Sequence, residues 1–468
     1  MAGSMKNLLG SLQTSLNSKP YSLGKSFIKV FRKSNGFCDF DFTLKDGSAK
    51  GIALIDTNFE PPIRIMNYCN EIFSRDYIKN SLKKAMELRE KLSNDKIIDI
   101  GPKSAYRLVN DGSDGLSGLT VDVFADYLQI TTLSDHWHPH VRYISEYLLN
   151  ETGKKGIYWK ISTKDQQMSK LYLGKGYELD EANQTTLIIE ENGMKSYIDL
   201  LDLKSTGFYL EHRDNRQIIS NLFKGRNGGS ILNLFAHTCS FSIAPCVNGH
   251  KIQTYNIDES IKNFKFADRN FKLNGLDTNY HKFSQKDVFT QLDYLKSKST
   301  RFDVIVLDPP PRTKGNGFGI FTSKDCYRDL LQLAIPLLNP GGFIASFVNT
   351  QSISESKWLR QIGVKNDLEI NENHSKKQIT IPTDDNNNND DLNEISQLNI
   401  KEAQFSNFTK NVSPFIKLPK FKAVQYFDQS QDFNVRKGDE NIAQQLKGVL
   451  LKNKVDYSKT KYYSSKQD

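Results

Sequence analysis

From Ser205 onward, strand-length apolar runs alternate with helical segments, and this repeat restricts the possible folds more than any other feature of the chain. The runs are Ile231–Phe235, Ile252–Ile257, Asn279–Phe283, Val304–Leu307 and Phe343–Val348. Short uninterrupted apolar runs suit strands buried on both faces, and their alternation with helices predicts a parallel, doubly wound α/β sheet. Leu446–Leu451 resumes the pattern as a closing strand after a long polar tract.

Ligands of open α/β sheets bind outside the carboxyl ends of the strands, and here those ends are acidic. The second run leads into Asp258, the third is followed by Asp287, and the fourth runs into Asp308-Pro309-Pro310-Pro311. A single Asp after a strand is ordinarily a turn or helix cap. Its recurrence after three consecutive strands points to a binding edge. The first run passes through Phe235-Ala236-His237-Thr238-Cys239-Ser240-Phe241 into a helix, a tight polar turn that brings backbone amides to a cofactor. Asp258 follows about twenty residues later, where a carboxylate holds ribose hydroxyls. The Gly-rich fingerprint of dinucleotide-binding oxidoreductases is absent from the turn, which excludes that class.

The remainder divides by composition. Residues 1–25 are basic and Ser-rich, and the first acid is Asp39. That is the composition of a mitochondrial transit peptide, the alternative being a basic arm of a cytoplasmic or nucleolar protein. Residues 26–75 alternate apolar runs with turn signals such as Lys45-Asp46-Gly47-Ser48, which predicts a small β domain. Residues 76–200 open with an amphipathic helix carrying Ile78, Leu82, Ala85, Met86 and Leu88. They continue with a β meander over Tyr106–Leu133 and a helix over His140–Leu149. The α/β domain spans 201–452, interrupted at about 371–415 by an Asn/Asp-rich tract too polar to order itself, and 453–468 form a basic tail.

A formal charge of +9 over 468 residues favours a polyanionic partner. No stretch reaches the roughly 18 apolar residues of a membrane span, so no membrane partner is expected. The five cysteines are scattered without a CxxC pair, which gives neither a zinc site nor a disulfide framework.

Several longer motifs resemble those of the bacterial large-subunit (23S) ribosomal RNA methyltransferases, which join a PUA domain, a small α+β linker domain and a Rossmann-like class I methyltransferase domain. The motifs are Arg107–Asp122, Thr206–Arg216, Asn270–Leu276, Phe302–Pro310 and Leu337–Gly342, in family order across most of the chain. The resemblance implies a seven-stranded, mostly parallel sheet, S-adenosylmethionine as cofactor, no metal, RNA as substrate, and a monomer or homodimer in a divergent, eukaryotic-looking member. It also assigns residues. Phe208, Arg213 and Asn215 would cover the cofactor, Phe235, Thr238, Cys239 and Phe241 form the first turn, and Asp258 holds the ribose. Asp287 and Val288 take the adenine, while Asp308, Pro309, Pro310 and Asn349 line the target base.

Two departures bear on the chemistry. The family's turn has Gly where this chain has Cys239, and Gly admits backbone conformations that Cys tolerates only with strain. The 5-methylcytosine members use a cysteine nucleophile, because an unactivated ring carbon attacks poorly. Here Asn349 and Pro311 occupy the two positions where that cysteine occurs. A base nitrogen such as guanine N7 needs only orientation, and related guanine-N7 domains carry Asn at the position of Asn349. Arg312, Lys314 and Tyr327, with Phe318 or Phe321 stacking a base, are the expected RNA contacts around the glycine-rich loop 314–319. The rival readings are an RNA-binding protein that has lost catalysis and a methyltransferase of protein or small molecules.

Overall fold

The computed structural model describes residues 36–453 apart from 45–46, 59–62, 68–70, 164–166, 175–185, 203–204, 316–318, 351, 365–420 and 434–445. The basic N-terminal segment, the Asn/Asp-rich insertion and the basic tail all lie outside the described residues. The chain forms two compact units. One takes the described residues up to Glu191, Lys195–Arg213 and the segment from Ser430; the other takes Asn192–Met194, the described residues of Asp214–Gln429, and the strand that starts at Leu446.

The first unit opens with an antiparallel meander, β1 (Gly36–Leu44), β2 (Gly47–Ile55) and β3 (Ile63–Asn67), followed by helix α1 (Arg75–Asn94). The Ser74 hydroxyl accepts from the Tyr77 amide and caps α1. A five-stranded sheet follows, with β4 (Ala105–Asn110), β5 (Leu119–Phe124), β6 (Tyr127–Thr132), β7 (Gly156–Ser162) and β8 (Gln167–Leu173) in sequence order. Its β6–β7 pair is parallel, joined through α2 (His138–Thr152). Strands β9 (Thr186–Glu191) and β10 (Met194–Asp199) meet at Asn192-Gly193, both at positive φ as a type I′ hairpin turn requires. The expected boundary at residue 75 does not separate two cores. Ile52, Leu54 and Met66 from the meander pack in one buried cluster with Ile78, Leu82, Val121 and Trp137.

A buried ionic network closes this unit. Arg89, 1% exposed, grips Asp114 through two hydrogen bonds of 2.8 and 2.9 Å. Asp432, fully buried, accepts from the Arg107 amide at 2.7 Å and from Arg213 at 2.6 Å, and its carbonyl accepts from Arg89 at 2.6 Å.

The second unit begins with α3 (Arg213–Asn221) and is built on a seven-stranded sheet. Its elements are β11 (Gly229–Leu234), α4 (Ser240–Val247), β12 (Ile252–Ile257), α5 (Ile261–Leu273), β13 (Lys282–Ser284), α6 (Val288–Ser297), β14 (Phe302–Leu307), the hairpin β15 (Arg312–Gly315) and β16 (Gly319–Thr322), α7 (Tyr327–Ala334), β17 (Leu338–Asn349), α8 (Glu355–Gln361), β18 (Phe421–Phe427) and β19 (Leu446–Asn453). The order across the sheet is β13-β12-β11-β14-β17-β19-β18. The first five strands run parallel, and β19 and β18 pair antiparallel at the far edge. This agrees with the expected mostly parallel sheet. The third strand is shorter than read, because Thr278–Tyr280 coil into a single turn capped by Asp277 before β13 begins. Chain order reverses between β11 and β14, which makes that point the switch where a doubly wound sheet opens a crevice.

Candidate active site

Leu234, Ile257, Ser284, Leu307 and Asn349 end five parallel strands at one edge of the second unit's sheet, so the loops that follow them surround the switch point. A satisfied polar chain beneath holds the first of these loops. Asn233 donates to the Ser242 hydroxyl at 3.1 Å, Ser242 donates to Asn256 at 2.6 Å, and Asn256 donates to Thr254 at 2.9 Å and to the Lys282 carbonyl at 3.2 Å. These residues come from β11, α4 and β12, and the network pins the start of α4 to the two strands at its base.

The turn from β11 into α4 is strained. Phe235, His237 and Cys239 take φ of 57°, 50° and 66°, so three residues with side chains lie in the left-handed region within five positions. Each costs roughly 1–2 kcal/mol, and such residues persist only where the surroundings impose them. The Ala236 amide donates to the Ile257 carbonyl at 2.9 Å, Cys239 N to Ala236 O at 2.8 Å, and His237 N to Asp258 Oδ2 at 2.8 Å. Asp258 Oδ1 also accepts from the Ser260 amide at 2.9 Å and the Asn263 side chain at 3.1 Å. The carboxylate thus fixes both the strained turn and the entry of α5 while remaining partly exposed.

Asp287 caps α6, its Oδ1 accepting from the amide and hydroxyl of Thr290 at 2.8 and 3.0 Å. Its Oδ2 has no protein hydrogen bond among the described residues. Partial burial and the charges of Asp287 and Asp258 push the Glu259 carboxyl above its usual range. Three carboxylates therefore converge, none in an ion pair among the described residues. They create the negative field that a cationic ligand neutralises. Beside them Ile261 is 57% exposed at the start of α5, an apolar surface on which a flat ring can rest.

The match to known proteins is consistent along the chain. Residues 176–370 fit the family model described as S-adenosylmethionine-dependent methyltransferase. Ribosomal RNA large subunit methyltransferase I of Shewanella denitrificans is 30% identical over 326 residues, covering 69% of this chain and 79% of the relative. The Aeromonas salmonicida protein of the same name is 33% identical over 277 residues, covering 59% of this chain and 67% of its own length. The chain belongs to this methyltransferase family. The same architecture occurs in an assigned S-adenosylmethionine-dependent methyltransferase from Streptococcus mutans, at TM-score 0.64 and 20% identity, covering 86% of this chain and 88% of that one. It also occurs in an assigned methyltransferase crystallised with S-adenosylhomocysteine, at TM-score 0.65 and 20% identity over 86% and 88% of the two chains.

The methyltransferase uses S-adenosylmethionine, and the residues present fit it. Asp258 offers its exposed oxygens to ribose hydroxyls, Ile261 a surface for the adenine, and the unbonded Oδ2 of Asp287 an acceptor for an exocyclic amine. Glu259, Ile261 and His237 were not singled out in the sequence, although an exposed isoleucine at the start of a helix beside two acids was a usable signal. Among the described residues no group of three or more His, Cys, Asp or Glu is placed to hold a metal.

Several expected side chains lie elsewhere. Cys239 is fully buried, its thiol pushed well above the ordinary value by burial and by Asp258, so only its backbone can face a cofactor. Phe241 is 6% exposed and stacks on Phe347 at 5.4 Å, Val288 is 2% exposed in the core, and Thr238 is 2% exposed. Arg213 and Phe208 belong to the first unit. The guanidinium of Arg213 is taken up by Asp432, by the Ala105 carbonyl at 2.7 Å and by Glu191 at 3.7 Å. Asn215 is buried and donates to the Asp428 carbonyl at 3.1 Å.

Tyr327, expected on the RNA, is instead fully buried. Its hydroxyl lies 2.8 Å from the Phe347 carbonyl and 3.3 Å from that of Leu307, so it ties β17 to β14 just before Asn349 and Asp308. Phe321 is likewise in the core, 5.6 Å from Phe289, and cannot stack a base. Phe318 lies outside the described residues. Arg312 and Lys314 remain exposed, two positions apart on one face of a regular hairpin rather than in a loose loop.

Proposed function

We propose that this methyltransferase modifies a base of ribosomal RNA, at a nitrogen such as guanine N7. The observation that carries the choice of atom concerns thiols. Among the described residues of the second unit the cysteines are Cys239, Cys246 and Cys326, and burial raises all three, Cys246 to about 12. A thiol held protonated is a poor nucleophile, so attack on a pyrimidine ring lacks its activating group. Asn349 at the end of β17 stands where such a nucleophile would be needed, and it suits orientation of a base edge by hydrogen bonding.

When bound, the cofactor supplies an electrophilic methyl group on a sulfonium. The protein's part is placement and removal of water. Asp258 and Asp287 fix one end of the ligand, the buried side chains beneath the strand ends keep the floor dry, and Asp308-Pro309-Pro310 with Asn349 holds the target base in line. Arg312 and Lys314 on the hairpin meet RNA phosphates, and the N-terminal meander serves as a PUA-like second contact. The names of the relatives, the basic charge and the exposed hairpin cations support RNA over protein or a small molecule.

The test is transfer of labelled methyl to purified ribosomal RNA, followed by mass spectrometry of the nucleosides. Label in 7-methylguanosine is expected. Label in 5-methylcytidine would overturn the nitrogen reading, and label found only in protein or small molecules would overturn the RNA reading.

A further inference from the structure

We infer that the outer face of α6, together with the edge strand β13, is a stacking platform for unpaired nucleotides of the RNA substrate; this rests on the RNA reading of the site. α6 buries Val288, Phe289, Leu292 and Leu295 and turns Tyr294 outward, 50% exposed. Two lysines flank that ring, Lys286 at 6.0 Å and Lys298 at 5.8 Å from its centroid. Next to it Tyr255 is held by a 2.8 Å hydrogen bond from Gln291 and carries Lys282 5.9 Å from its ring. Tyr280, 52% exposed, extends the aromatic surface past the start of β13.

Edge strands commonly carry lysines, which discourage pairing with other chains. That accounts for Lys282 but not for half-exposed tyrosines, nor for the placement of cations around them on a helix. None of the three lysines forms an ion pair among the described residues, so their charge is available to an external anion. A cationic groove studded with aromatic rings is the design by which proteins hold single strands: bases stack on the rings and phosphates meet the cations. β13 is three strands from β14, about 14 Å at roughly 4.8 Å per strand, a distance that a short run of unpaired nucleotides covers. Lys286 also directly precedes Asp287, so the platform begins at the cofactor end of the cleft and lies away from the target base.

The experiment measures fluorescence anisotropy of a labelled, unstructured oligoribonucleotide with the full chain, across a salt series, with cofactor affinity followed by calorimetry. Tyr294→Ala should weaken binding by about 5- to 100-fold and Tyr294→Phe should not. The double variant Lys286→Gln, Lys298→Gln should flatten the slope of log affinity against log salt by about 1.4, from roughly 0.7 per phosphate contact on a single strand. Cofactor affinity should stay unchanged in all three. Wild-type binding that none of the variants alters would overturn the platform and leave the RNA reading standing, as would equal losses on a blunt RNA duplex. No RNA binding by the wild type, with cofactor binding intact, would overturn the RNA reading and the platform with it.

Discussion

The two units treat acidic side chains in opposite ways. In the first, Asp114, Asp122 and Asp432 each pair with a buried or nearly buried arginine, and Asp432 also engages backbone donors. In the second, Asp258, Glu259 and Asp287 crowd a strand-end cleft with no cationic partner among the described residues. Matched charges that have lost their water hold a fold in register, and removing one partner leaves the other unsolvated. Unmatched charges at a cleft cost little to the fold while they stay hydrated, and they are free to act on a ligand. Sequence composition cannot distinguish the two cases, since both are aspartates after strands or turns.

The sharpest challenge to this contrast is Asp432→Ala, which leaves the Arg213 guanidinium and the Arg107 amide without their acceptor. A loss of about 3–5 kcal/mol in urea unfolding is expected, with a change below 1 kcal/mol counting against the network. Asp258→Ala should act on ligand rather than fold. Loss of charge-assisted bonds to two ribose hydroxyls lowers S-adenosylmethionine affinity by about 100-fold, or roughly 3 kcal/mol, by calorimetry. If unfolding suffers more than binding, Asp258 belongs with the structural class.

Cys239 tests the strained turn between these extremes. A β-branched residue resists φ near 66°, so Cys239→Val should cost about 2 kcal/mol while Cys239→Gly is tolerated; equal behaviour of the two would remove backbone strain from the account. The smallest effect concerns Asp329, whose carboxyl is pushed up to about 6 by burial despite Arg328. A raised carboxyl contributes its stability below its unfolded value near 4 and loses it as pH rises through about 6. Asp329→Asn should therefore raise the melting temperature at pH 7 and leave it unchanged at pH 4.

The second unit's sheet was largely legible because β11, β12, β14, β17 and β19 are buried apolar runs whose length alone marks them. The acids at their ends were legible for the same reason, since the end of a run fixes where its loop begins. Three residues near the site defeated this reasoning. Tyr327 and Phe321 sit in short amphipathic pieces where an aromatic can point inward or outward, and only packing decides. Arg312-Thr313-Lys314-Gly315 contains no apolar run, so a regular hairpin strand read as loop. Asp432 gave no signal either, lying in Ser430–Phe433 without periodicity, and its partners are more than 200 positions away.

That last separation sets a schedule for synthesis. A domain at the start of a chain ordinarily folds as it emerges, before the rest has been made. Here the first unit needs a carboxylate from Asp432, which leaves the ribosome only after nearly every strand of the second unit has been translated. Until then Arg89, Arg107 and Arg213 face a gap where their acceptor belongs. The amino-terminal unit is thus among the last to be completed, and a nascent chain stalled before Asp432 carries an incomplete core at both ends.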